Sequence, residues 1–295
     1  MTTMTETLPG LDPGLHGEIP VEEYHRLPGV SQSQLKVLRD LSPAHLRWRL
    51  DNPPPSSPAQ VIGAAIHDAV LLPDLFETAW LRGIEGDGRT KAVKDARAEL
   101  AVQHPNATVL SPEAYDTCLA VRNAIAAHPK ARQLLIGDAE QSALWLDPDT
   151  GILCRGRCDL LGHRTGTIVD LKTTRCAARE PFSRDIWTYG YHMQGAFYLA
   201  GAQALGLEMD KFAIVAVEKE PPYGVALYEM TEAAIHDGNR EIRPLLALFA
   251  ECEAAGEWPG YGFTRDGDGN LRHTVELVDL PTWAPNKINE RLGEI

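Results

Sequence analysis

The chain has 295 residues, of which 44% are hydrophobic and 23% charged, an ordinary composition for one large globular domain or two small ones. Its formal net charge of −13 excludes a surface that binds nucleic acid over its whole area, but not a local basic groove beside cation-binding carboxylates. No apolar run approaches the roughly 20 residues that span a bilayer, and the N-terminus lacks the features of a secretory signal, so we expect a cytoplasmic protein.

The five cysteines do not form the pattern of a disulfide framework or of a cysteine metal site. Their number is odd, and no Cys-x-x-Cys pair is present. Cys154 and Cys158 are four residues apart, so on a strand they project from the same face. We therefore expect both to lie in the core.

The N-terminal half has the signals of successive helices. Residues 1–28 are rich in Pro, Gly and acidic residues and are expected to form a poorly ordered leader. Ser31 and Gln34 have the spacing of a capping box, which predicts a helix start. Ser42 followed by Pro43 predicts a second start.

Further helices are predicted up to residue 128. The Pro-rich stretch 51–58 breaks the chain before an apolar helix at 61–72. Residues 83–91 read as a loop that leads to a charged helix. Ser111 before Pro112 then begins a helix that runs towards His128.

The pattern changes to short β-rich runs at QSALWLD, GILCRGRCDLLG and GTIVDLKTT, separated by turn signals. These runs predict an antiparallel meander. The later elements are expected in this order: a helix at 187–205, strands at 212–219 and 224–230, a long helix from Thr231 to near Gly256, and a short strand at 273–280. The sequence thus predicts an α/β fold, with a small mixed sheet flanked by helices and a helical N-terminal half.

Two carboxylates and one ammonium are expected to converge within the meander. Asp159 ends one strand, and Asp170, Leu171 and Lys172 follow each other on the next. Asp170 and Lys172 project from one face while Leu171 packs into the core from the other. Carboxylates bind Mg²⁺ or Mn²⁺, the Leu171 backbone carbonyl can complete the ligand set, and a lysine can orient an attacking hydroxide. This set suits phosphodiester hydrolysis.

The Asp-x-Lys spacing alone has a plainer explanation, an exposed ion pair on an edge strand. A catalytic site is favoured by the order of the elements: a strand that ends in an aspartate, a hairpin, a strand with Asp-x-Lys, and then a helix. On the following helix, Gln194 and Tyr198 either make ordinary buried hydrogen bonds or reach the lysine or a DNA phosphate. His67, on the apolar helix at 61–72, is either a core histidine or a metal ligand.

The chain resembles the PD-(D/E)xK nuclease superfamily, in its branch of RecB-like and phage-type exonucleases, and particularly the nuclease domain of exodeoxyribonuclease VIII. The resemblance rests on VSQSQLKVL, GAAIHDAVLLPDLF, GRTK, GRCDLL, IVDLKTT, the Gln194-x-x-x-Tyr198 helix and WPGY, in this order. It implies a PD-(D/E)xK domain with a restriction-endonuclease-like core at residues 29–262, between the leader and a C-terminal extension at 263–295.

The resemblance also implies roles for the site residues. It assigns metal binding to three side chains, His67, Asp159 and Asp170. It makes Lys172 the catalytic lysine, with Gln194 and Tyr198 as the active-site pair on the helix. One departure is that Cys158, not proline, precedes Asp159.

Contacts with DNA are expected from basic and aromatic residues near these motifs. Three basic residues are candidates for phosphate contacts: Arg89, Lys91 and Arg175. For Lys36 and Arg39, on the first predicted helix, a solvated helix face is the ordinary interpretation. Trp187, Tyr189 and Tyr191 can stack on an unpaired base, although we expect at least two of them to pack in the core.

Three functions are compatible with the sequence. The first is an Mg²⁺- or Mn²⁺-dependent exonuclease that degrades linear double-stranded DNA from an end. For it, the resemblance implies 5′ to 3′ polarity, a role in recombination or repair, a ring-shaped homo-oligomer and a single-strand annealing protein as partner. The second is an endonuclease, or a nuclease of opposite polarity, from the same superfamily. The third is a nuclease-fold protein that binds DNA or a partner without cutting, against which the intact Asp159, Asp170 and Lys172 set argues.

Overall fold

A computed structural model describes residues 11–17, 19–87, 89–267 and 270–292 of the chain. Helices dominate the first half, in the order β1 (Gly14–His16), α1 (Val21–Arg26), α2 (Gln32–Asp40), α3 (Pro43–Asp51), α4 (Pro58–Leu71), α5 (Pro73–Ala79), β2 (Trp80–Arg82), α6 (Lys91–Gln103), β3 (Thr108–Leu110), α7 (Pro112–Ala127) and α8 (Pro129–Leu134). The second half contains β4 (Asp138–Leu146), β5 (Leu153–Gly162), β6 (Thr167–Thr174), α9 (Arg179–Tyr189), α10 (Tyr191–Ala204), β7 (Lys211–Glu218), β8 (Val225–Glu229), α11 (Glu232–Ala255), β9 (Phe263–Arg265), β10 (Leu271–His273) and α12 (Ala284–Leu292). The predicted α/β fold with a helical N-terminal half is confirmed.

Helix starts coincide with the capping signals in the sequence. At α2, the backbone N–H of Ser31 donates to Gln34 Oε1 at 2.8 Å, which is half of a capping box. At α7, Ser111 Oγ accepts from the N–H of Ala114 at 3.1 Å. At α11, Thr231 caps the first turn, and Gly256 ends the helix in the left-handed region.

The central sheet has the strand order β1-β4-β5-β6-β7-β8. Strands β4, β5 and β6 pair antiparallel, as the predicted meander requires. Strand β7 pairs parallel to β6 after a crossover through α9 and α10, and β8 returns antiparallel. Strand β6, which bears Asp170 and Lys172, is therefore a central strand, and the alternative of an ion pair on an edge strand is excluded.

Each face of the sheet packs against its own helices. On one face, Val169 and Leu171 pack with Ile66 of α4 and Val121 of α7. On the other face, strands β6 and β7 pack with α9 and α10 through a cluster that includes Ile168. Cys154 and Cys158 are buried free thiols, as predicted. Within the described residues, no helix has the length and apolarity needed to cross a lipid bilayer.

The helix predicted over residues 187–205 is wrong as a single element. Gly190 has a φ of +69° and separates α9 from α10. Only glycine adopts this left-handed conformation without a steric cost, so it allows the chain to turn between two helices.

The strand predicted at 273–280 is also wrong over most of its length. Only Leu271–His273 form a strand, in a hairpin with Phe263–Arg265. Residues 274–280 have no ladder partner in the described chain, and Val275, Leu277 and Val278 are almost fully exposed. Alternating apolar residues do not form a strand where no neighbouring strand pairs with them.

The predicted leader contains ordered elements within its described part, residues 11–17 and 19–28. Strand β1 pairs with β4 at the edge of the central sheet, and Tyr24 and Leu27 pack on Leu144. Residues 1–10 and Glu18 lie outside the described residues. We name the described residues 11–17 and 19–28 the N-terminal strap.

Candidate active site

The two predicted aspartates face each other where the β5–β6 ladder ends. The ladder pairs Leu160 with Val169, and the next facing positions are Asp159 and Asp170. Instead of continuing the ladder, Asp159 Oδ2 accepts a hydrogen bond from the backbone N–H of Leu171 at 2.7 Å. The ladder's end thus leaves room for both side chains between the strands.

Asp170 and Lys172 form a buried ion pair. Lys172 Nζ lies 2.6 Å from Asp170 Oδ2, and Asp170 is only 1% exposed. The other oxygen, Oδ1, accepts from Gln194 Nε2 of α10 at 2.7 Å. Tyr198, one turn later, is within hydrogen-bonding reach of Gln194, while burial raises its pKa well above the usual value. Gln194 therefore contacts the aspartate of the pair, not the lysine that the sequence also allowed.

A third carboxylate, Glu140 of β4, joins the site. The β4–β5 register places it opposite Asp159. Glu140 has a φ of +52°, which is rare for a residue other than glycine. On β5 the alternation of faces is interrupted at the same level, because Cys158 and Leu161 pack towards α10 while Leu160 packs towards α4. The paired distortion brings both carboxylates to the α4 side.

His67 on α4 completes a group that could hold a metal ion. Ligand atoms of His67, Glu140 and Asp159 all lie within 4.8 Å of one another, and His67 Nδ1 is 3.4 Å from Asp159 Oδ2. Two carboxylate oxygens and one imidazole nitrogen form a donor set suited to a divalent cation such as Mg²⁺ or Mn²⁺. Asp170 lies next to this group but is not one of the three residues whose ligand atoms come within 4.8 Å of one another. Its role as a ligand, like that of the Leu171 carbonyl, stays a prediction.

The ionisation of these groups reflects their burial and their mutual repulsion. Burial, and then the neighbouring Asp170 carboxylate, raise the pKa of Asp159 to about 8. Burial and the Asp159 charge raise the pKa of Glu140, while Arg157, 2.5 Å away, opposes the shift. Burial and the nearby Lys172 cation lower the pKa of His67, which keeps its imidazole neutral, the form that binds metals.

Lys172 is held in its charged form. Burial lowers its pKa, but the carboxylates of Asp170 and Asp159 outweigh that effect and raise it. Its ammonium also lies 4.9 Å from the centre of the Tyr191 ring, a cation–π contact. The lysine is therefore a fixed positive charge beside the carboxylate cluster.

The residues predicted to contact phosphate have no contact with this cluster. Arg89 is exposed and pairs with Asp87 at 3.3 Å, so its charge is partly neutralised locally. Lys91 begins α6, and Arg175 follows β6; both are exposed. DNA contacts by these three residues stay predictions.

Two of the three nearby aromatic residues are exposed, namely Trp187 and Tyr189. This contradicts the expectation that at least two of Trp187, Tyr189 and Tyr191 pack in the core.

Glu140 is the site residue that the sequence analysis missed. Its only signal is its position immediately before QSALWLD, because the strand pairing that places it opposite Asp159 follows from the hairpin turn. A count back from the turn DPDTG would have found it. The left-handed φ that aims its side chain has no sequence signal.

Comparison with known proteins agrees with this fold. Residues 31–264 match the family model described as a PDDEXK-like domain of unknown function (DUF3799). A crystal structure of a candidate exonuclease from Eubacterium rectale has a TM-score of 0.59 and 13% sequence identity, covering 92% of this chain and 98% of that one. At this identity the likeness shows a shared fold. A search of curated proteins gave no significant match.

The match with the family model spans most of the chain and includes every element that carries the site, from α2 to α11. It confirms the resemblance to PD-(D/E)xK proteins that the motifs indicated. The chain belongs to the PDDEXK-like domain family of unknown function (DUF3799).

Proposed function

We propose that this protein is a metal-dependent nuclease that hydrolyses phosphodiester bonds in DNA. One observation carries the proposal: the cluster of His67, Glu140 and Asp159 lies directly beside the buried Asp170–Lys172 ion pair. A phosphodiester and its transition state are anionic, so their cleavage is favoured by a cation site next to a fixed ammonium. The PDDEXK-like family supports the same chemistry.

The cation would be held by His67, Glu140 and Asp159. When bound, it would polarise the scissile phosphate and lower the pKa of a bound water. The imidazole nitrogen in the donor set is compatible with Mn²⁺ as well as Mg²⁺, because hard oxygen ligands alone are the stronger preference of Mg²⁺.

The chain's own residues supply positioning and charge. Lys172 stabilises the negative charge that develops on the phosphate oxygens. Asp170 holds the ammonium in place, and Gln194 in turn holds Asp170, so the position of Lys172 is set before the substrate arrives. Asp170 has two partners already and is a positioning residue in this arrangement. Tyr198 supports Gln194 from the next helical turn.

Our finer proposal is an exonuclease that degrades linear double-stranded DNA from an end, 5′ to 3′, in recombination or repair. The motif resemblance supports it, and so does the shared fold with the candidate exonuclease. We also propose a ring-shaped homo-oligomer. In a ring, the basic residues would line the channel that holds DNA, and the acidic residues that give the chain its net charge of −13 would lie on the outside. We propose a single-strand annealing protein as partner, which would bind the DNA strand that is left single-stranded after the other strand is degraded.

A cleavage assay with end-labelled linear and closed circular duplexes tests the function. Linear DNA should be cut in the presence of Mg²⁺ or Mn²⁺. Lys172→Gln, which keeps a hydrogen-bond donor near Asp170, should reduce the rate at least about 100-fold because the fixed charge is lost. Lys211→Gln, an exposed lysine on the same sheet, is the matched control and should cut like the wild type.

The other outcomes separate the alternatives. Cutting of closed circles would replace the exonuclease with an endonuclease. Release of nucleotides from the 3′ end would reverse the polarity. If neither metal supports cleavage of any substrate, the protein binds DNA or a partner without cutting. Full activity in Lys172→Gln would contradict the site itself.

A further inference from the structure

The junction between α9 and α10 presents exposed aromatic rings close to Lys172. Tyr189, the last residue of α9, is half exposed and stacks on Tyr191 with ring centres 5.7 Å apart and an interplanar angle of 30°. The Tyr191 ring is itself the one that lies 4.9 Å from Lys172 Nζ. A row of contacts therefore leads from the ammonium at the active site outward to an exposed ring.

Trp187 offers a second exposed ring at the same junction. It is 69% exposed, which is unusual for a residue with so large an apolar surface. Its ring stacks on His192 at 5.5 Å and 16°. The buried His192 is fixed by Glu241 Oε1 at 3.1 Å and by the carbonyl of Ile186 at 3.3 Å. The tryptophan is thus held in one orientation with most of its surface in solvent.

Helix α2 faces this junction with one stripe of polar residues. Gln32 Nε2 donates to the carbonyl of Gly190 at 3.2 Å, and Arg39 Nη1 lies 3.3 Å from Met193 Sδ. Lys36 lies between them on the same helical face, by the i, i+4, i+7 spacing. Lys36 and Arg39, for which the sequence analysis expected a solvated helix face, are in fact both half buried.

Lys36 is a half-buried cation that forms no direct ion pair with a carboxylate of the described chain. Arg39 has Asp40 and Glu241 as partners, but no carboxylate in the described chain lies within ion-pairing distance of Lys36. Burial and the nearby cation Arg39 lower the pKa of Lys36, the Asp40 carboxylate opposes this shift, and Lys172 lowers the pKa further. Lys36 thus places a cation that lacks a direct ion pair near the active site of an acidic chain, which favours the binding of an anion such as a phosphate.

We propose that the α9–α10 junction binds unpaired nucleotides of the substrate, with Tyr189 and Trp187 stacking on bases and Lys36 binding a backbone phosphate. The inference rests on the proposed nuclease function and names the form of DNA that the site accepts: a strand that is single-stranded beside the scissile phosphate. Aromatic rings and a cation are the elements that recognise single strands without regard to sequence. The continuity of the rings with Lys172 places these nucleotides next to the cleaved bond.

Fluorescence anisotropy in EDTA tests binding apart from cleavage. The probes are a blunt duplex and the same duplex with a single-stranded overhang of about ten nucleotides, within the range one such site covers. Tyr189→Ala and Trp187→Ala should each weaken binding of the overhang by about 5- to 150-fold, the loss expected for one stacked base. Binding of the blunt duplex should change much less.

Two control variants match the rings in exposure. Tyr261 is 63% exposed, with its ring centre 5.2 Å from that of His45 in a tilted contact, and Trp48 is 64% exposed on α3. Tyr261→Ala and Trp48→Ala should bind both probes like the wild type. Lys36→Gln should lower the slope of log affinity against log salt by about 0.7, the value for one phosphate of a single strand, whereas Lys211→Gln should not.

Several results would overturn the inference. One is overhang binding by Tyr189→Ala and Trp187→Ala at wild-type strength, and another is an equal loss in the two controls. Equal losses on the blunt and the overhanging duplex would also overturn it, because they would indicate contacts with paired DNA or a change of fold. If the wild type binds the overhang in this way but cuts no DNA with metal, the nuclease proposal fails and the binding site stands.

Discussion

Asp159 is a carboxyl group whose surroundings oppose its ionisation. Burial and Asp170 raise its pKa from 3.8 to about 8, against the opposing effects of Lys172 and of the Leu171 N–H. Between these two pH values the folded, metal-free protein holds a proton that the unfolded chain has lost. The folded state is therefore stabilised at low pH, and this stabilisation is lost as the pH rises towards 8.

We predict that the free energy of unfolding of the metal-free wild type falls between about pH 4 and pH 8 relative to that of Asp159→Asn, measured by urea denaturation in EDTA. In Asp159→Asn this contribution should be absent and the profile flatter. A saturating divalent cation should reverse the trend in the wild type, because it binds the ionised carboxylate and displaces the proton. A wild-type profile parallel to that of Asp159→Asn would show that Asp159 ionises normally.

Glu140 is one of the three residues proposed to hold the cation, so its loss should weaken metal binding directly. We predict that Glu140→Gln binds Mn²⁺ at least about tenfold more weakly than the wild type, measured by calorimetry. Even the loss of a residue that only supports the ligands of a metal site typically weakens metal binding by this factor. Asp138→Asn, two residues earlier on β4, is the control. Its carboxylate is exposed and pairs with His163, away from the cluster. Equal affinities in wild type and Glu140→Gln would remove Glu140 from the ligand set.

The sequence indicated part of this site because some of its geometry is local. The period of a strand places Asp170 and Lys172 on one face, and a short hairpin brings Asp159 next to them. The partners of Asp170 were not predictable in this way, since Gln194 reaches it from a helix 24 residues later. Glu140 was not predictable either, because its position depends on a pairing register and on a rare backbone angle.

At the scale of elements, capping chemistry allowed most helix starts to be predicted, since an N-cap and its partner are three residues apart. The break at Gly190 was missed because a glycine between aromatic residues also occurs within helices. What decides the matter is packing: α2 contacts the junction through Gln32 and Arg39. In the exposed segment 274–280, by contrast, the sequence pattern predicts a strand that does not form, because no neighbouring strand pairs with it.

Two glycines with the same backbone angle allow the importance of the α9–α10 junction to be measured. Gly190 and Gly206 both have a φ of +69°. A Cβ atom at Gly190 would lie 3.0 Å from the Arg39 side chain and 3.4 Å from that of Met193. A Cβ atom at Gly206 would have no neighbouring atom within 4 Å. We predict that alanine costs about 1–2 kcal/mol of stability at either position, from the left-handed conformation alone.

Only Gly190→Ala should also reduce cleavage, by about tenfold or more, because displacement of Arg39 and Met193 shifts the first turn of α10 and with it Tyr191 beside Lys172. Thermal or urea denaturation gives the stability of each variant, and the end-labelled duplex assay gives the rate. A rate in Gly190→Ala equal to that in Gly206→Ala would show that the junction does not position the active site.

At the scale of the whole molecule, the N-terminal strap connects the first described residues to the active site. Arg155 of β5 donates from Nη1 to the carbonyls of Tyr24, His25 and Leu27. Arg157, two residues later on the same strand, donates to the carbonyl of Ile19 at 2.6 Å while its Nε bonds Glu140. Backbone carbonyls of the strap therefore accept hydrogen bonds from two arginines, and one of these arginines, Arg157, also contacts the candidate metal ligand Glu140.

This arrangement predicts that the strap is part of the folded domain. Compared with a chain that starts at residue 11, one that starts at residue 29 should lose at least about 2 kcal/mol of stability, because the buried Arg155 guanidinium loses its hydrogen bonds. It should also bind Mn²⁺ more weakly, since Arg157 would hold Glu140 less firmly. Arg155→Met in the longer chain should reproduce the loss of stability, whereas Arg164→Met, at an exposed position, should not. If the shorter chain unfolds at the same urea concentration and binds the metal equally well, the strap contributes neither to the stability of the domain nor to the metal site.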